Sequence, residues 1–297
     1  MKERTAEIIQ QKEEIQAQAD NLLQANNEIT EKNEILRKQK NEIEEKNQHI
    51  TSSIEYASRI QNAVLPPKEL IRKHLPEYFI LFKPRDIVSG DFYWLKQIGS
   101  HTVYAAADCT GHGVPGAFMS MLGISFLNEI VNKTRFDKPA EILGKLRKKV
   151  KSSLRQTGKD NESKDGMDIA LCIIDNENMI LEYAGAYNPA YIIRKGVLHE
   201  LKATRNPIGI YLKEKDFENH SFKLEKNDII YTFSDGYVDQ FGGEDNSKFK
   251  TKNFKKLLIE IYDKPMQEQK KILEGVFLKW KGNTEQTDDI IIFGVKV

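Results

Sequence analysis

The feature that most constrains this chain is a seven-residue repeat of aliphatic side chains near its N-terminus. The repeat consists of Ile8, Ile15, Leu22, Ile29, Leu36, Ile43 and Ile50. Residues 1–65 contain neither Gly nor Pro, and their first aromatic residue is Tyr56. A segment of this kind predicts one continuous helix of about 100 Å, at roughly 1.5 Å per residue. A strict seven-residue period also predicts that the helix winds around a partner helix as a coiled coil.

The second core position of this repeat is mostly polar. If the aliphatic series occupies position d, position a contains Lys12, Ala19, Asn26, Asn33, Lys40 and Asn47. Polar side chains at a reduce stability, but they fix register and favour a parallel two-stranded pair. Two interpretations follow: a solvated spacer, or a parallel homodimer through residues 1–65 whose marginal seam transmits a signal. Pro66-Pro67 is expected to end the helix.

The pattern changes after residue 66 to short apolar runs separated by turns, which predicts a globular domain over residues 66–297. The predicted strands are residues 78–82, 92–98, 102–107, 167–174, 179–184, 190–194, 221–224, 228–233 and 290–297. Helical patterns separate them at residues 115–132, at 137–157 with Asp137 as its cap, and in two segments near the C-terminus. Strands and helices do not alternate strictly, so we expect an α+β layout of antiparallel sheets covered by helices.

Charge, hydropathy and cysteine usage exclude several classes of protein. The net charge of +1 provides no field for nucleic acid or an anionic membrane surface. No apolar run approaches about 18 residues, so no membrane span or membrane contact is expected. Two cysteines, Cys109 and Cys172, give no disulfide framework and indicate the reducing cytoplasm. A sensor domain upstream of Met1, in a longer parent protein, remains compatible with the sequence.

Asp108 ends an apolar strand and is followed by a turn with little side-chain bulk. The turn runs through residues 109–113 and contains two glycines, and Pro115 then opens a helix. The carboxylate of Asp108 either caps that helix or faces backbone that a metal ion or phosphate can approach. This stretch alone does not decide between the two roles.

Further acidic residues share this placement at the ends of strands: Asp91, Asp235 and the pair Asp288-Asp289. Taken singly, each is typical of a turn or cap residue. Taken together, acids at the rims of neighbouring strands can converge on one cleft. Adjacent carboxylates raise one another's pKa unless a cation neutralises them. No Cys/His cluster accompanies these oxygens, so the fitting ions are Mg²⁺ or Mn²⁺ and not zinc.

These residues carry a resemblance to a known family. The motifs are Leu65-Pro66-Pro67, Ser89-Gly90-Asp91-Phe92-Tyr93, Asp108-x-x-Gly111-His112-Gly113, Ser234-Asp235-Gly236 and Asp288-Asp289-Ile290. In this order, over residues 65–297, they resemble the PPM (type 2C) metal-dependent serine/threonine protein phosphatases of the bacterial SpoIIE/RsbU-like branch. The resemblance implies two stacked antiparallel β-sheets flanked by helix pairs, an αββα sandwich with a two-metal centre at one end. Here the long coiled-coil helix precedes that sandwich.

The same resemblance implies roles for four catalytic aspartates. Asp108 would bridge two divalent cations, Mn²⁺ or Mg²⁺, and the backbone carbonyl of Cys109 would bind one of them. Asp91 would serve one metal directly or through water, while Asp235 and Asp288 would hold the other. Two such cations lower the pKa of a shared water and stabilise phosphoryl oxygens during in-line attack.

The same resemblance implies further roles around this centre. Asp289 and Gly90 would lie next to the metal ligands and hold them in position without binding a metal themselves. His112 lies four residues after Asp108, and it either acts as a general acid or orients the turn. Asp168 interrupts an apolar strand as either part of the metal shell or a hydrogen-bonded structural acid.

The phosphate-binding candidates are the basic residues Lys83 and Arg85. A third metal site is not expected, because residues 185–188 read Gly-Ala-Tyr-Asn where many relatives carry Gly-Asp-Ser-Arg. Residues 242–246 lack the ligand spacing of a calcium loop and are interpreted as a surface hairpin.

The sequence thus supports one leading hypothesis and one alternative. The leading hypothesis is a phosphatase for phosphoserine or phosphothreonine on a small signalling protein of the anti-sigma-factor antagonist type. Its activity would be regulated through the coiled coil, which acts on the helix pair at residues 115–132 and 137–157. The alternative is a catalytically silent, phosphatase-like binding module in a signalling complex.

Overall fold

The computed structural model describes residues 2–133, 138–159 and 163–297, with side chains from Arg4 onward. The predicted cap Asp137 lies outside these residues. The chain divides into two compact units, Met1–Ile54 and Glu55–Val297. The described residues of the first unit are all helical, and the second contains the last ten residues of the same helix together with the strands.

The N-terminal segment forms one helix, α1 (Lys2–Val64), which confirms the predicted helix. All seven aliphatic side chains of the repeat are exposed, with 56–75% of their surface accessible in the single chain. Exposed aliphatic side chains in a regular row are unfavourable in water, because each forgoes about 1.5–3 kcal/mol of burial free energy. The pairing of this row with a second copy remains a prediction.

The last turns of α1 belong to the second unit and bury an unexpected residue. Gln61 is only 5% exposed, whereas the apolar Ile60 and Val64 each keep 40% of their surface accessible. Pro66-Pro67 then ends the helix, as expected, and α2 (Lys68–His74) follows with Pro67 at its N-cap.

Two five-stranded antiparallel sheets stack face to face in the second unit. In spatial order, the first contains β1 (Glu77–Lys83), β12 (Ile290–Lys296), β9 (Ile229–Phe233), β6 (Ala190–Arg194) and β7 (Val197–Leu201). The second contains β2 (Phe92–Ile98), β3 (His101–Cys109), β4 (Met167–Asp175), β5 (Ile180–Ala186) and β8 (His220–Lys223). This arrangement confirms the predicted pair of stacked antiparallel sheets.

The core strands are buried on both faces, so they do not alternate between apolar and polar residues. All five residues of β9 are buried, and β3 is buried over most of its length. Between the sheets, the rings of Tyr104 and Phe293 lie 5.1 Å apart. The predicted set of strands lacks β7, a short, partly exposed edge strand. It pairs with β6 through a tight turn at Lys195-Gly196, where both residues have positive φ.

Helix pairs cover the outer faces of the sandwich. The pair α3 (Gly113–Lys133) and α4 (Pro139–Ser153) packs on the second sheet, and α6 (Thr251–Ile261) with α7 (Met266–Lys281) packs on the first. A one-turn helix, α5 (Gly236–Asp239), follows β9.

Residues 242–246 lie in the predicted surface hairpin. It is formed by β10 (Phe241–Gly242) and β11 (Ser247–Lys248), which pair antiparallel.

No membrane span was expected from the sequence, but helix α3 is long and strongly apolar. By length and composition alone it could cross a membrane, although half of its apolar window is buried within the protein. Its buried side includes Gly123, where a Cβ atom would meet Phe92 and Met167 of the second sheet at 2.9 Å. The apolar character of α3 is therefore accounted for by close packing on that sheet.

Candidate active site

The candidate acids come together at one end of the sandwich because of the antiparallel register. Phe92, which begins β2, pairs with Ala107 near the end of β3, so Asp91 lies beside Asp108. In the other sheet, Ile292 near the start of β12 pairs with Phe233, which ends β9. In each sheet, the residues at the end of one strand therefore lie next to the residues just before the neighbouring antiparallel strand.

Asp108 is at the centre of this acidic group. Burial is the main cause that raises the pKa of its carboxyl group well above the usual range. The negative charges of Asp91 and Asp235 add to that increase, followed by those of Asp288 and Asp168. Four other acids therefore lie close enough to act on Asp108 through space.

Asp91 is almost fully buried, at 2% exposure, in the loop that leads into β2. Burial raises its pKa well above the ordinary value. The hydroxyl of Ser234, which donates a 2.6 Å hydrogen bond to the carboxylate, lowers it. Ser234 Oγ also accepts the backbone N–H of Ile291 at 3.0 Å, so it ties Asp91 to the first sheet.

Asp235 and Asp288 lie on the other side of the group. The Asp235 side chain is exposed at the head of α5. Its pKa is nevertheless raised, first by local desolvation and then by the charges of Asp239 and Asp288. A hydrogen bond with Asp108 opposes that increase. Asp288 is partly exposed and accepts the backbone N–H of Asp289 at 2.8 Å.

Asp289 forms hydrogen bonds with the backbone of the loop that precedes β2. Its two carboxylate oxygens accept the N–H groups of Arg85 and Gly90, each at 2.7 Å. Burial raises its pKa, and these two hydrogen bonds lower it. Because Gly90 directly precedes Asp91, Asp289 positions the loop that carries an acid of the cleft.

Gly90 packs against the turn that follows β3. A Cβ atom at this position would lie 2.6 Å from the carbonyl oxygen of Gly111 and 3.3 Å from that of Cys109. Any side chain would therefore push the two loops apart. The Cys109 thiol is buried, and that burial raises its pKa, which disfavours the thiolate that would act as a metal ligand or nucleophile.

His112 and Asp168 differ in their relation to the cleft. The Nδ1 atom of His112 lies 2.9 Å from the carboxylate of Asp86, on an exposed surface, which favours the role of orienting the turn. Asp168 pairs with Asp108 across β3 and β4. Burial, followed by the charge of Asp235, raises the pKa of Asp168 to about 7, so this residue is part of the acidic group.

The two basic candidates are not equally placed. The Lys83 ammonium lies 3.8 Å from Glu274 of α7, which draws it toward that helix. Arg85 donates from Nη1 to the carbonyl of Thr287 at 3.1 Å, beside the Asp288-Asp289 pair. Arg85 is thus tied to the rim of the cleft, whereas Lys83 is paired outside it.

The donor set fits hard divalent cations. Among the residues that the structure describes, no three His, Cys, Asp or Glu side chains are already arranged around a common point as metal ligands. The pKa values of Asp91, Asp108 and Asp235 are nevertheless all raised by burial together with like charge. A group of closely spaced, partly desolvated carboxylates without counter-charge is the condition that Mg²⁺ or Mn²⁺ relieves, and oxygen ligands suit these ions.

Sequence reasoning assigned no role to Gln61, although it reaches this region. Its side-chain amide donates to the Ser89 carbonyl at 2.6 Å and to Ser120 Oγ at 2.8 Å. Its carbonyl oxygen accepts the Ser89 N–H at 3.1 Å. One glutamine among many in a polar helix carries no distinguishing signal, so only the fold reveals it. Ser234 lay within a recognised motif and could have been chosen from its position beside Asp235.

A pair of tyrosines lies near Asp168, because Tyr187 follows β5 and Ala186 of that strand pairs with Ile169. Tyr187 has the uncommon positive φ of 55°, and its ring meets that of Tyr211 edge-on at 6.4 Å. A hydrogen bond with Tyr211 raises the pKa of Tyr187 to about 12, and the charge of Asp168 acts in the same direction.

Comparisons with known proteins identify the family of this chain. Residues 99–297 match the family model described as "Stage II sporulation protein E (SpoIIE)". The chain is 26% identical over 234 residues to phosphoserine phosphatase RsbU of Bacillus subtilis, covering 78% of this chain and 66% of that protein.

Solved structures give the same picture. The SiaA-PP2C domain of Pseudomonas aeruginosa superposes with a TM-score of 0.77 at 32% identity, over 84% of this chain and 98% of that domain. The PP2C phosphatase domain of SpoIIE from Bacillus subtilis, solved with a fragment of its regulatory domain, has the same fold. It superposes with a TM-score of 0.62 at 21% identity, over 74% of this chain and 63% of that one.

Proposed function

Because this chain belongs to the SpoIIE family and is by family a PP2C-type serine/threonine phosphatase, we propose that it hydrolyses phosphoserine or phosphothreonine on a protein. PP2C-family phosphatases are metal-dependent, and we propose the same of this chain, with Mg²⁺ or Mn²⁺ as the ion. The support for this proposal is the convergence of Asp91, Asp108, Asp235 and Asp288 at one end of the sandwich.

The proposed ligands are divided between two metal ions. Asp108 would bridge two ions, with the Cys109 carbonyl and Asp91 on one side and Asp235 and Asp288 on the other. Bound there, the two ions would supply an activated water and neutralise the phosphoryl oxygens.

The protein's own residues prepare this cleft in two ways. Ser234 fixes one oxygen of Asp91 by its 2.6 Å hydrogen bond, which leaves the other oxygen for a ligand role. Asp289 holds the backbone of Gly90, so the loop before Asp91 keeps its position. We propose that Arg85, tied to the rim through Thr287, is the better placed of the two basic candidates to meet a substrate phosphate.

The test is hydrolysis of a phosphoserine peptide and of p-nitrophenyl phosphate by the full chain, with Mn²⁺, with Mg²⁺ and with EDTA. We expect turnover only with a divalent ion. Asp108→Asn should reduce it by at least about 10³-fold, because a neutral amide cannot bridge two cations. Asp263→Asn, at an exposed position after α6, is the matched control and should keep full activity.

Two outcomes would contradict the proposal. Equal turnover in EDTA would exclude the role of a divalent ion, and full activity of Asp108→Asn would exclude the bridging role. Tight binding of the phosphopeptide without any turnover would instead support the alternative, a silent binding module.

The relatives indicate a substrate class. RsbU is named as a phosphoserine phosphatase, and this chain spans 66% of its length. We propose that the substrate here is likewise a phosphorylated signalling protein, of the anti-sigma-factor antagonist type. Dephosphorylation of a panel of phosphorylated candidate domains, followed by mass spectrometry, identifies which one is accepted.

The exposed repeat of α1 supports a parallel homodimer through residues 1–65, because pairing would bury seven aliphatic side chains that are 56–75% exposed in one chain. We propose that signals from an upstream sensor reach the catalytic unit through this helix. Gln61 supports this route, since it contacts both the loop before Asp91 and helix α3. The free, buried Cys109 and Cys172 support a cytoplasmic location.

A further inference from the structure

A cavity of about 570 Å³ lies at one open edge of the sandwich, away from the acidic cleft. Two edge strands, β1 of the first sheet and β2 of the second, contribute to it together with α2 and α7. Its lining consists of Lys68, Ile71, Arg72, Pro76, Tyr78, Ile80, Phe82, Tyr93, Gln267 and Lys270. The volume is in the range of small-molecule sites, roughly 300–1,000 Å³.

One side of the cavity is aromatic and apolar. Tyr78, Phe82 and Tyr93 line it, and Ile71 is fully buried behind them. The rings of Phe82 and Tyr93 meet edge-on at 5.7 Å. Tyr78 and Tyr93 are both half-buried while still facing the cavity, and this burial raises the pKa of both hydroxyls. Such a surface suits a flat ring as a ligand.

The other side of the cavity is positively charged. Lys68, Arg72 and Lys270 line it, and within the described parts of the chain none of the three has a carboxylate partner within 4.0 Å. The charge of Glu69 reaches Tyr78, but that of Arg72 opposes it more strongly. No acidic residue lines the cavity. Three cations without counter-ions around one concave surface attract an anion.

We propose that this cavity binds an aromatic phosphate of the nucleotide class, with its ring against the tyrosines and its phosphates on the three basic side chains. Arg72 is the strongest candidate for phosphate contact, since its guanidinium presents several donors in one plane. Gln267 fixes one wall, because it donates to the Tyr78 carbonyl at 2.8 Å.

The cavity is separate from the proposed phosphatase centre. None of its lining residues is among the aspartates of the cleft. The two sites share strand β2, because Tyr93 lies two residues after Asp91. A nucleotide bound here would therefore contact the strand that begins at the cleft without occupying it.

The test is calorimetric titration of the full chain with ADP, pyrophosphate and adenosine, first in EDTA and then with Mg²⁺. In EDTA the acidic cleft repels anions, so binding reports the cavity. We expect ADP to bind at least tenfold more tightly than either fragment, because only ADP uses both sides of the cavity. Arg72→Gln and Lys270→Gln should each weaken ADP binding by about tenfold or more.

The matched controls are Lys73→Gln and Lys271→Gln, which remove exposed charges on the same two helices outside the cavity. Both should bind ADP as the unmodified chain does, and all four variants should melt at similar temperatures. Absence of ADP binding up to millimolar concentration would overturn the proposal, as would equal losses in test and control variants. Binding of an acidic peptide but not ADP would also overturn it and assign the cavity to protein docking. Because the readout is binding, failure of the phosphatase proposal would leave the result interpretable.

Discussion

The carboxylate of Asp289 accepts the backbone N–H of Gly90 at 2.7 Å, across 199 residues of sequence. The second oxygen of Asp289 accepts the N–H of Arg85 at the same distance. One buried acid thus holds both ends of the loop that leads to Asp91.

Asp289→Ala removes both of these hydrogen bonds and should loosen the loop. We expect the free energy of unfolding to fall by about 1.5–3 kcal/mol, since the lost bonds have a charged acceptor. The affinity for Mn²⁺ should fall about 10–100-fold, as for other groups that orient metal ligands. Denaturant unfolding and metal titration measure the two effects, with Asp263→Ala as the exposed control. An unchanged metal affinity would mean that Asp289 does not position Asp91.

Divalent ions should stabilise the protein itself. Like charges brought together at Asp91, Asp108 and Asp235, and partly shielded from water, oppose folding, and a bound cation removes that repulsion. At a metal concentration of about 100 Kd, the gain should be about 2.7 kcal/mol. Thermal melting with and without Mn²⁺ measures it. Asp108→Asn should melt no lower than the unmodified chain in EDTA and should lose the response to Mn²⁺. A full response in that variant would place the ions elsewhere.

Gln61→Leu keeps the size of a buried side chain but removes its hydrogen bonds to Ser89 and Ser120. The N–H of Ser89 would then lack its partner, so the free energy of unfolding should fall by about 1–3 kcal/mol. Hydrogen exchange at the Ser89 amide should accelerate. The neighbouring Asn62→Leu, on the exposed face, is the control and should change neither quantity. Equal protection of Ser89 in both variants would remove the basis for a regulatory route through Gln61.

Deletion of residues 1–54 separates dimerisation from folding. The remaining chain keeps Gln61 and the whole second unit, so we expect it to fold and to be monomeric. Light scattering coupled to size exclusion gives the mass of both chains, and the full chain should be a dimer. A dimeric truncated chain would show that the exposed repeat of α1 is not the dimer interface.

Tyr187→Phe removes the hydrogen bond to Tyr211. If Tyr187 contacts a protein substrate but not a small ester, kcat/KM for the phosphoprotein should fall several-fold. Hydrolysis of p-nitrophenyl phosphate should be unchanged. A parallel loss with both substrates would mean that Tyr187 supports the acidic group instead of contacting the substrate.

Local patterns in the sequence account for most of the secondary structure. The helix α1 and its end at Pro66-Pro67 could be predicted because helix formation depends on nearby residues. Strand β7 could not be predicted, because a short edge strand gains its stability from the neighbouring β6 and not from its own composition. The burial of α3 was not predictable either, since it depends on the sheet beneath it.

The sequence by itself determined the long helix, the two antiparallel sheets and the identity of the acids at the ends of strands. The tertiary structure alone decided how those acids differ: Asp289 binds backbone, Asp91 is held by Ser234, and Asp108 lies at the centre of the group. The same holds for Gln61, which looks like any other polar residue of its helix until the fold buries it. The physical reason is that hydrogen bonds and charge interactions act through space, between segments whose separation along the chain carries no information about their distance.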